Sequence, residues 1–141
     1  MSGFLLDTNC ISEAVAAKPD AGVSRWLEEI NESQIYLSVL TLGEIRKGIA
    51  LLPQSRKRSR LETWLNLELQ ARFFGRILEI DAAVADRWGV LTAEAKGRGR
   101  TVSVVDGLLA ATALHHNLTI VSRNVADFAG TSVPVISPWS S

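Results

Sequence analysis

Phe4-Leu5-Leu6-Asp7-Thr8-Asn9 is a short apolar run that stops on a carboxylate and two small polar residues. The run has no polar alternation, the pattern of a strand buried on both faces of a parallel sheet. Open sheets of that kind bind ligands beyond the carboxyl ends of their strands, and Asp7 stands at such an end. The competing reading is that Asp7, Thr8 or Asn9 caps a helix starting near Cys10. This stretch alone allows both.

Downstream of it, periodicity predicts a first helix from about Cys10 to Ala17, stopped near Lys18-Pro19, and a second carrying Val23, Trp26, Leu27 and Ile30. Gln34 to Ser38 reads as a strand leading into a third helix with Leu42, Ile45, Ile49 and Leu52 on one face, ended by Pro53. A basic linker then passes into a fourth helix from about Ser59 to Phe74, with Leu61, Leu65, Leu69 and Phe73 as its stripe and Gly75 just past its end. Ile77 to Ile80 is a third strand, and Asp81 opens a helix that runs to the Gly97-Arg98-Gly99-Arg100 loop. Val104 to Leu114 is an alanine- and leucine-rich helix suited to burial against a sheet, ended at Asn117. Leu118 to Ser122 is a fourth strand, followed by a turn carrying Asp127-Phe128. Val133 to Ile136 is a weaker fifth, which Pro134 assigns to an edge. Strands alternating with helices predict an α/β fold: about five mainly parallel strands flanked by helices in one domain, residues 1–141.

The bulk numbers agree with that class. A chain of 141 residues, 47% hydrophobic, buries roughly two thirds of its unfolded surface without help from a metal or disulfide. No apolar run approaches the ~18 residues of a membrane span. Met1-Ser2-Gly3 lacks a basic flank with a long apolar region behind it, so no signal peptide is expected. Cys10 is the single cysteine, which excludes an internal disulfide, fits a reducing cytoplasm, and favours packing over reactivity. Fifteen basic and fifteen acidic residues balance, excluding a uniformly positive nucleic-acid coat. Basic residues nonetheless cluster at Arg46, Lys47, Arg56, Lys57, Arg58 and Arg60, and again at Lys96, Arg98 and Arg100. Such patches suit either a solvated surface or a phosphate backbone.

Three further positions share the situation of Asp7. Glu44 follows the second strand, Asp106 opens the buried helix, and Asn124 with Asp127 follows the fourth strand. In a parallel sheet these places lie on one rim. Carboxylates gathered there repel one another unless protons or a cation neutralise them, and oxygen donors of this kind suit Mg²⁺ or Mn²⁺. The alternative is again capping: Thr41-Leu42-Gly43-Glu44 and Ser103-Val104-Val105-Asp106 both have the form of a capping box or a close relative of one. Capping and metal binding are compatible.

Leu5-Leu6-Asp7-Thr8-Asn9 with Ile11-Ser12-Glu13 resembles the opening of PIN-domain ribonucleases, especially the VapC and FitB-like toxins of bacterial toxin-antitoxin pairs. Leu37-Ser38 through Glu44-Ile45 and Gly48 is similar to the second acidic motif of that family, Asp106 through Ala113 to the third, and Val121 through Phe128 to the fourth. Pro138-Trp139 is similar to the FitB-like subgroup. The resemblance implies a three-layer PIN-like fold, a divalent-metal site for Mg²⁺ or Mn²⁺, cleavage of RNA, a homodimer, and a VapB-like antitoxin through which a larger assembly sits on operator DNA. It implies Asp7, Glu44 and Asp106 as metal-binding catalytic acids, with the fourth place divided between Asp127 and Asn124.

Thr8 and Ser122 or Asn124 are candidates for orienting water at such a site. Arg56, Arg58, Arg98 and Arg100 are candidates for the RNA backbone. His115 and His116 sit at the far end of their helix from Asp106, where they meet its negative pole. Two rival readings remain at this level. One is an inactive PIN-like module that binds RNA or an antitoxin; the other is a phosphatase with Asp7 as nucleophile, weakened by Asn9 where a general acid would stand.

Overall fold

A computed structural model describes residues 3–139; Met1 and Ser2, on which the signal-peptide reading partly rests, lie outside it. Strands β1 (Gly3–Leu6), β2 (Ile35–Ser38), β3 (Ile77–Leu78), β4 (Leu118–Val121) and β5 (Val135–Ile136) form one sheet in the order β3-β2-β1-β4-β5. Every pairing is parallel. The strand that carries Asp7 is therefore the central one, and its apolar run faces two cores. Leu6 packs with Ile35, Leu37 and Val121 on one side, whereas Leu5 packs with Leu118 and Ile120 on the other.

Each core is roofed by helices. Helices α1 (Thr8–Ala14), α2 (Ala21–Glu29) and α3 (Val39–Ala50) close the first together with a long helix that begins as α4 (Arg56–Thr63). Helices α6 (Ala82–Gly97) and α7 (Val104–His115) close the second. These are the three expected layers. Where Gly107 of α7 meets α6, an added Cβ would stand 3.0 Å from the Trp88 indole, so any larger residue there requires that ring to give way.

Several boundaries differ from the sequence expectation, each for a local reason. Helix α1 begins at Thr8 because Asp7 is itself the cap, its Oδ1 accepting from the Thr8 N–H at 2.8 Å. Helix α3 begins at Val39 because Ser38 caps it, accepting from Leu40 N at 3.0 Å. Thr41 is thereby inside the helix and buried, so the capping-box reading of Thr41 and Glu44 is wrong. The basic segment from Arg56 is no linker but the opening of α4, capped by the Ser55 hydroxyl on Arg58 N.

That helix continues as a π-helical stretch, Trp64–Leu69, and closes in the short α5 (Gln70–Arg72). The stripe Leu61, Leu65, Leu69, Phe73 repeats every four residues, and in an ideal α-helix each such step drifts by about 40°. The wider π turns offset the drift, and Leu65, Leu69 and Phe73 are all buried. Gly75 follows with φ +80°. Strand β3 is two residues long rather than four, since the chain turns away for Asp81 to cap α6 at Val84 N. Likewise β5 starts only at Val135, and Pro134 stands at the sheet edge, where its missing N–H breaks no ladder.

Candidate active site: an acidic rim around Asp7

The register that pairs Leu6 with Val121 puts the next residues of β1 and β4, Asp7 and Ser122, side by side. The ladder runs one bond further, from Asp7 N to Val121 O at 2.9 Å. Asp7 is only 9% exposed, and Ser122 is fully buried. Ser122 donates its hydroxyl hydrogen to Asp7 Oδ2 at 2.8 Å and accepts from Asn124 N at 3.0 Å. Asn9 Nδ2 approaches the same hydroxyl at 3.3 Å, while Asn9 Oδ1 accepts from Arg123 N at 3.3 Å. Asn9 and Ser122 thus tie the two strand ends together beneath the Asp7 carboxylate.

The other acids arrive from three separate elements. Glu44, exposed on the second turn of α3, accepts a hydrogen bond from the Thr8 hydroxyl. Thr8 is therefore a bridge between α1 and α3. Asp106, in the first turn of α7, accepts from the Ser103 hydroxyl at 2.9 Å, and its own N–H is capped by that hydroxyl at 3.2 Å. Here the capping reading holds, and it leaves the carboxyl on the rim. Asp127 lies in a 3₁₀ turn, Val125–Phe128, that follows β4.

Electrostatics ties the four together. Burial pushes the Asp7 carboxyl above the usual range; hydrogen bonds from Ser122 and Thr8 N draw it partly back, and repulsion from Glu44 and Asp127 raises it again. Burial likewise raises Asp106, opposed by its Ser103 bond and reinforced by Asp7 and Asp127. Asp127 thus acts on both the buried Asp7 and the half-buried Asp106. Asn124, by contrast, adds no charge and caps nothing with its side chain.

Among the described residues no ion pair reaches any of these four acids; the two salt bridges are Arg58 with Glu62 and Arg72 with Glu32. Nor do three His, Cys, Asp or Glu side chains converge tightly enough to enclose an ion as they stand. Glu44 and Asp106 are instead each held by a neighbouring hydroxyl. A buried acid kept under repulsion, ringed by oxygen donors and given no counter-charge by the protein, fits a hard divalent cation.

The basic candidates separate. Arg58 donates Nη1 to Leu52 O at 2.9 Å and Arg98 donates Nη2 to Gly130 O at 2.6 Å, so both brace the backbone. Arg56 and Arg100 are exposed. Glu44 and Thr8 also line a groove of about 250 Å³ with Ile45, Ile49, Lys57 and Trp64. The histidines take no part in the rim: His116 lines a cavity with Gly3, Gln34 and Tyr36, at the opposite end of β1. Cys10, wholly buried, has its thiol pushed up to about 12 by burial first and then by Asp7, and it packs as expected.

Chain order had singled out the acids but not the latch beneath them. In the sequence Asn9 stands as part of the opening motif, a capping candidate and the place of a phosphatase's general acid, and Ser122 as part of the fourth motif and a candidate for orienting water. Their partnership depends on the β1–β4 register, which no local pattern in the sequence reports.

Parallel strands with acidic side chains set past their carboxyl ends define an α/β domain with an acidic rim on one edge of its sheet. The PIN domain family matches residues 4–131, and the chain belongs to that family. Toxin FitB of Neisseria gonorrhoeae is 38% identical over 136 residues, spanning 96% of this chain and 98% of FitB. VapC ribonuclease Y4jK of Sinorhizobium fredii is 33% identical over 136 residues, spanning 96% and 97%. A solved structure of FitAB bound to IR36 DNA fragment superposes with a TM-score of 0.92 at 36% identity, covering 96% of this chain and 95% of that one. Among the described residues, no helix is long and apolar enough to cross a membrane.

Proposed function

We propose that the chain is a divalent-metal-dependent endoribonuclease that hydrolyses RNA phosphodiester bonds as the toxin of a toxin-antitoxin pair. The observation that carries this reading is the uncompensated acidic rim around a buried Asp7. The likeness to a protein named as a ribonuclease and to one named as a toxin supports it.

In this reading Asp7, Glu44, Asp106 and Asp127 hold Mg²⁺ or Mn²⁺. The bound ion supplies activation of the attacking water and stabilisation of the leaving oxygen. The protein's own part is positional. Ser122 and Thr8 N fix the Asp7 carboxylate against rotation, Thr8 fixes Glu44, and Ser103 fixes Asp106. Preset oxygens spare the site the cost of ordering them when substrate arrives. Asp127 takes the fourth place over Asn124, because its charge acts on both Asp7 and Asp106.

The similarity to a chain solved in a FitAB complex with DNA supports a second small protein as partner, with DNA reached through that partner. A homodimer and a cytoplasmic location complete the reading. The test is incubation of the purified chain with a structured RNA transcript, with and without Mn²⁺. Cleavage that appears with the ion and stops in excess chelator supports the proposal; cleavage unchanged in chelator contradicts it.

A further inference from the structure

Beside Asp106 and Asp127 lies an open cavity of about 330 Å³ that shares no residue with the groove at Glu44. Its wall also carries Thr101, Ser103 and Arg100, and Arg100 is the one cation among the residues that line it. Two arginines leave the end of α6 close together, and the structure gives them different tasks. Arg98 spends its Nη2 on Gly130 O, clamping the loop that follows the Asp127 turn. Arg100 is anchored by its backbone and stem instead. Its N–H reaches back to Ala95 O at 2.9 Å across Gly99, which has φ +76°. Its Cβ and Cγ lie against Gly130, where an added Cβ would stand 3.0 Å from each.

The guanidinium at the end of that fixed stem makes no hydrogen bond or ion pair among the described residues. Had it served to neutralise the rim, it would bridge Asp106 or Asp127, with which it shares the cavity. A rim of carboxylates repels a polyanion, so a substrate strand needs compensating charge nearby. A planar guanidinium matches phosphate oxygens in a bidentate fork. Building on the ribonuclease reading, we infer that Arg100 is a substrate-binding residue of this site: it grips a backbone phosphate of the RNA beside Asp106, while Arg98 only maintains the loop.

The test uses the full chain, its Arg100→Gln, Arg100→Lys and Arg98→Gln variants, and a fluorescein-labelled single-stranded RNA in excess chelator, so that nothing is cleaved. Fluorescence polarisation over a salt series is expected to show Arg100→Gln binding about tenfold more weakly, with a salt slope lower by about one. Arg100→Lys should recover most of the salt slope and part of the affinity, because it keeps the charge and loses the fork. Arg98→Gln should melt at a lower temperature yet bind RNA as the wild type does. Calorimetric titration with Mn²⁺ should show Arg100→Gln binding the ion at least as tightly as the wild type.

Wild-type RNA affinity and salt slope in Arg100→Gln would overturn the inference, as would weakened Mn²⁺ binding, which would make Arg100 an organiser of the acids. Equal losses in Arg98→Gln and Arg100→Gln would overturn it too. Failure of the wild-type chain to cleave RNA with metal would sink the ribonuclease reading alone, whereas an unaffected Arg100→Gln sinks this one alone.

Discussion

The Ser122 hydroxyl lies 2.8 Å from Asp7 Oδ2, joining the end of β4 to the end of β1 across 115 residues of chain. Both groups are out of solvent, so the loss of this bond is not made good by water. Ser122→Ala removes the strongest influence holding the Asp7 carboxyl down, so its pKa should rise further. The variant should lose about 1–3 kcal/mol in denaturant unfolding. The acidic limb of its metal-dependent pH–rate profile should also move to higher pH, because the ligand must be deprotonated to bind.

Stability of the metal-free protein should depend on pH in a definite sense. Burial raises Asp7 and Asp106 above their unfolded values, so the folded chain holds those protons more tightly than the unfolded one. That contribution is present in full below the unfolded carboxylate value, about pH 4, and is lost as pH rises through the raised folded values. Asp7→Asn removes the Asp7 part of it. In chelator at neutral pH this variant should be more stable than the wild type, and the gap should shrink as pH falls. Thermal melts of the two proteins across the acidic range measure the difference directly.

Glu44 offers a cleaner separation of roles than the sequence allowed. Because Ser38 caps α3, Glu44→Gln removes no cap, and glutamine still accepts from the Thr8 hydroxyl. The variant should keep the wild-type melting temperature within the small range typical of exposed substitutions. Its RNA cleavage at fixed Mn²⁺ should nonetheless fall by roughly 100-fold for the lost ligand charge.

Gly107 sets how closely α7 lies on α6. A methyl group there meets the Trp88 ring at 3.0 Å, and the ring must give way or the helices must part. Gly107→Ala should cost about 1–3 kcal/mol by overpacking. Since the neighbouring residue is Asp106, activity should drop more than the folded fraction does, which paired activity and circular-dichroism measurements resolve.

What the chain announced and what it concealed follow from the reach of each signal. Phe4-Leu5-Leu6 declared a strand with two apolar faces because burial on both sides forbids polar alternation, and β1 lies between Leu37 on one flank and Ile120 on the other. Asp7, Asp106 and Asp127 stood out because each follows a strand or opens a helix. The start of α3 was concealed by a competing pattern: Thr41 and Glu44 have capping-box spacing, while Ser38, the actual cap, reads equally well as the last residue of β2. Arg56 to Arg58 looked like a linker because charge hides helical periodicity. The latch of Asn9 and Ser122, and the division of labour between Arg98 and Arg100, arise from contacts between elements remote in sequence. No local spacing encodes them.

Whether the rim around Asp7 holds a divalent ion is open to direct measurement. Electron paramagnetic resonance of Mn²⁺ titrated into the chain near neutral pH reads this out, with Asp7→Asn as the comparison. The wild type should deplete the free-ion signal and Asp7→Asn should leave it nearly intact; equal depletion by both proteins, or none by the wild type, would rule out a metal site at Asp7.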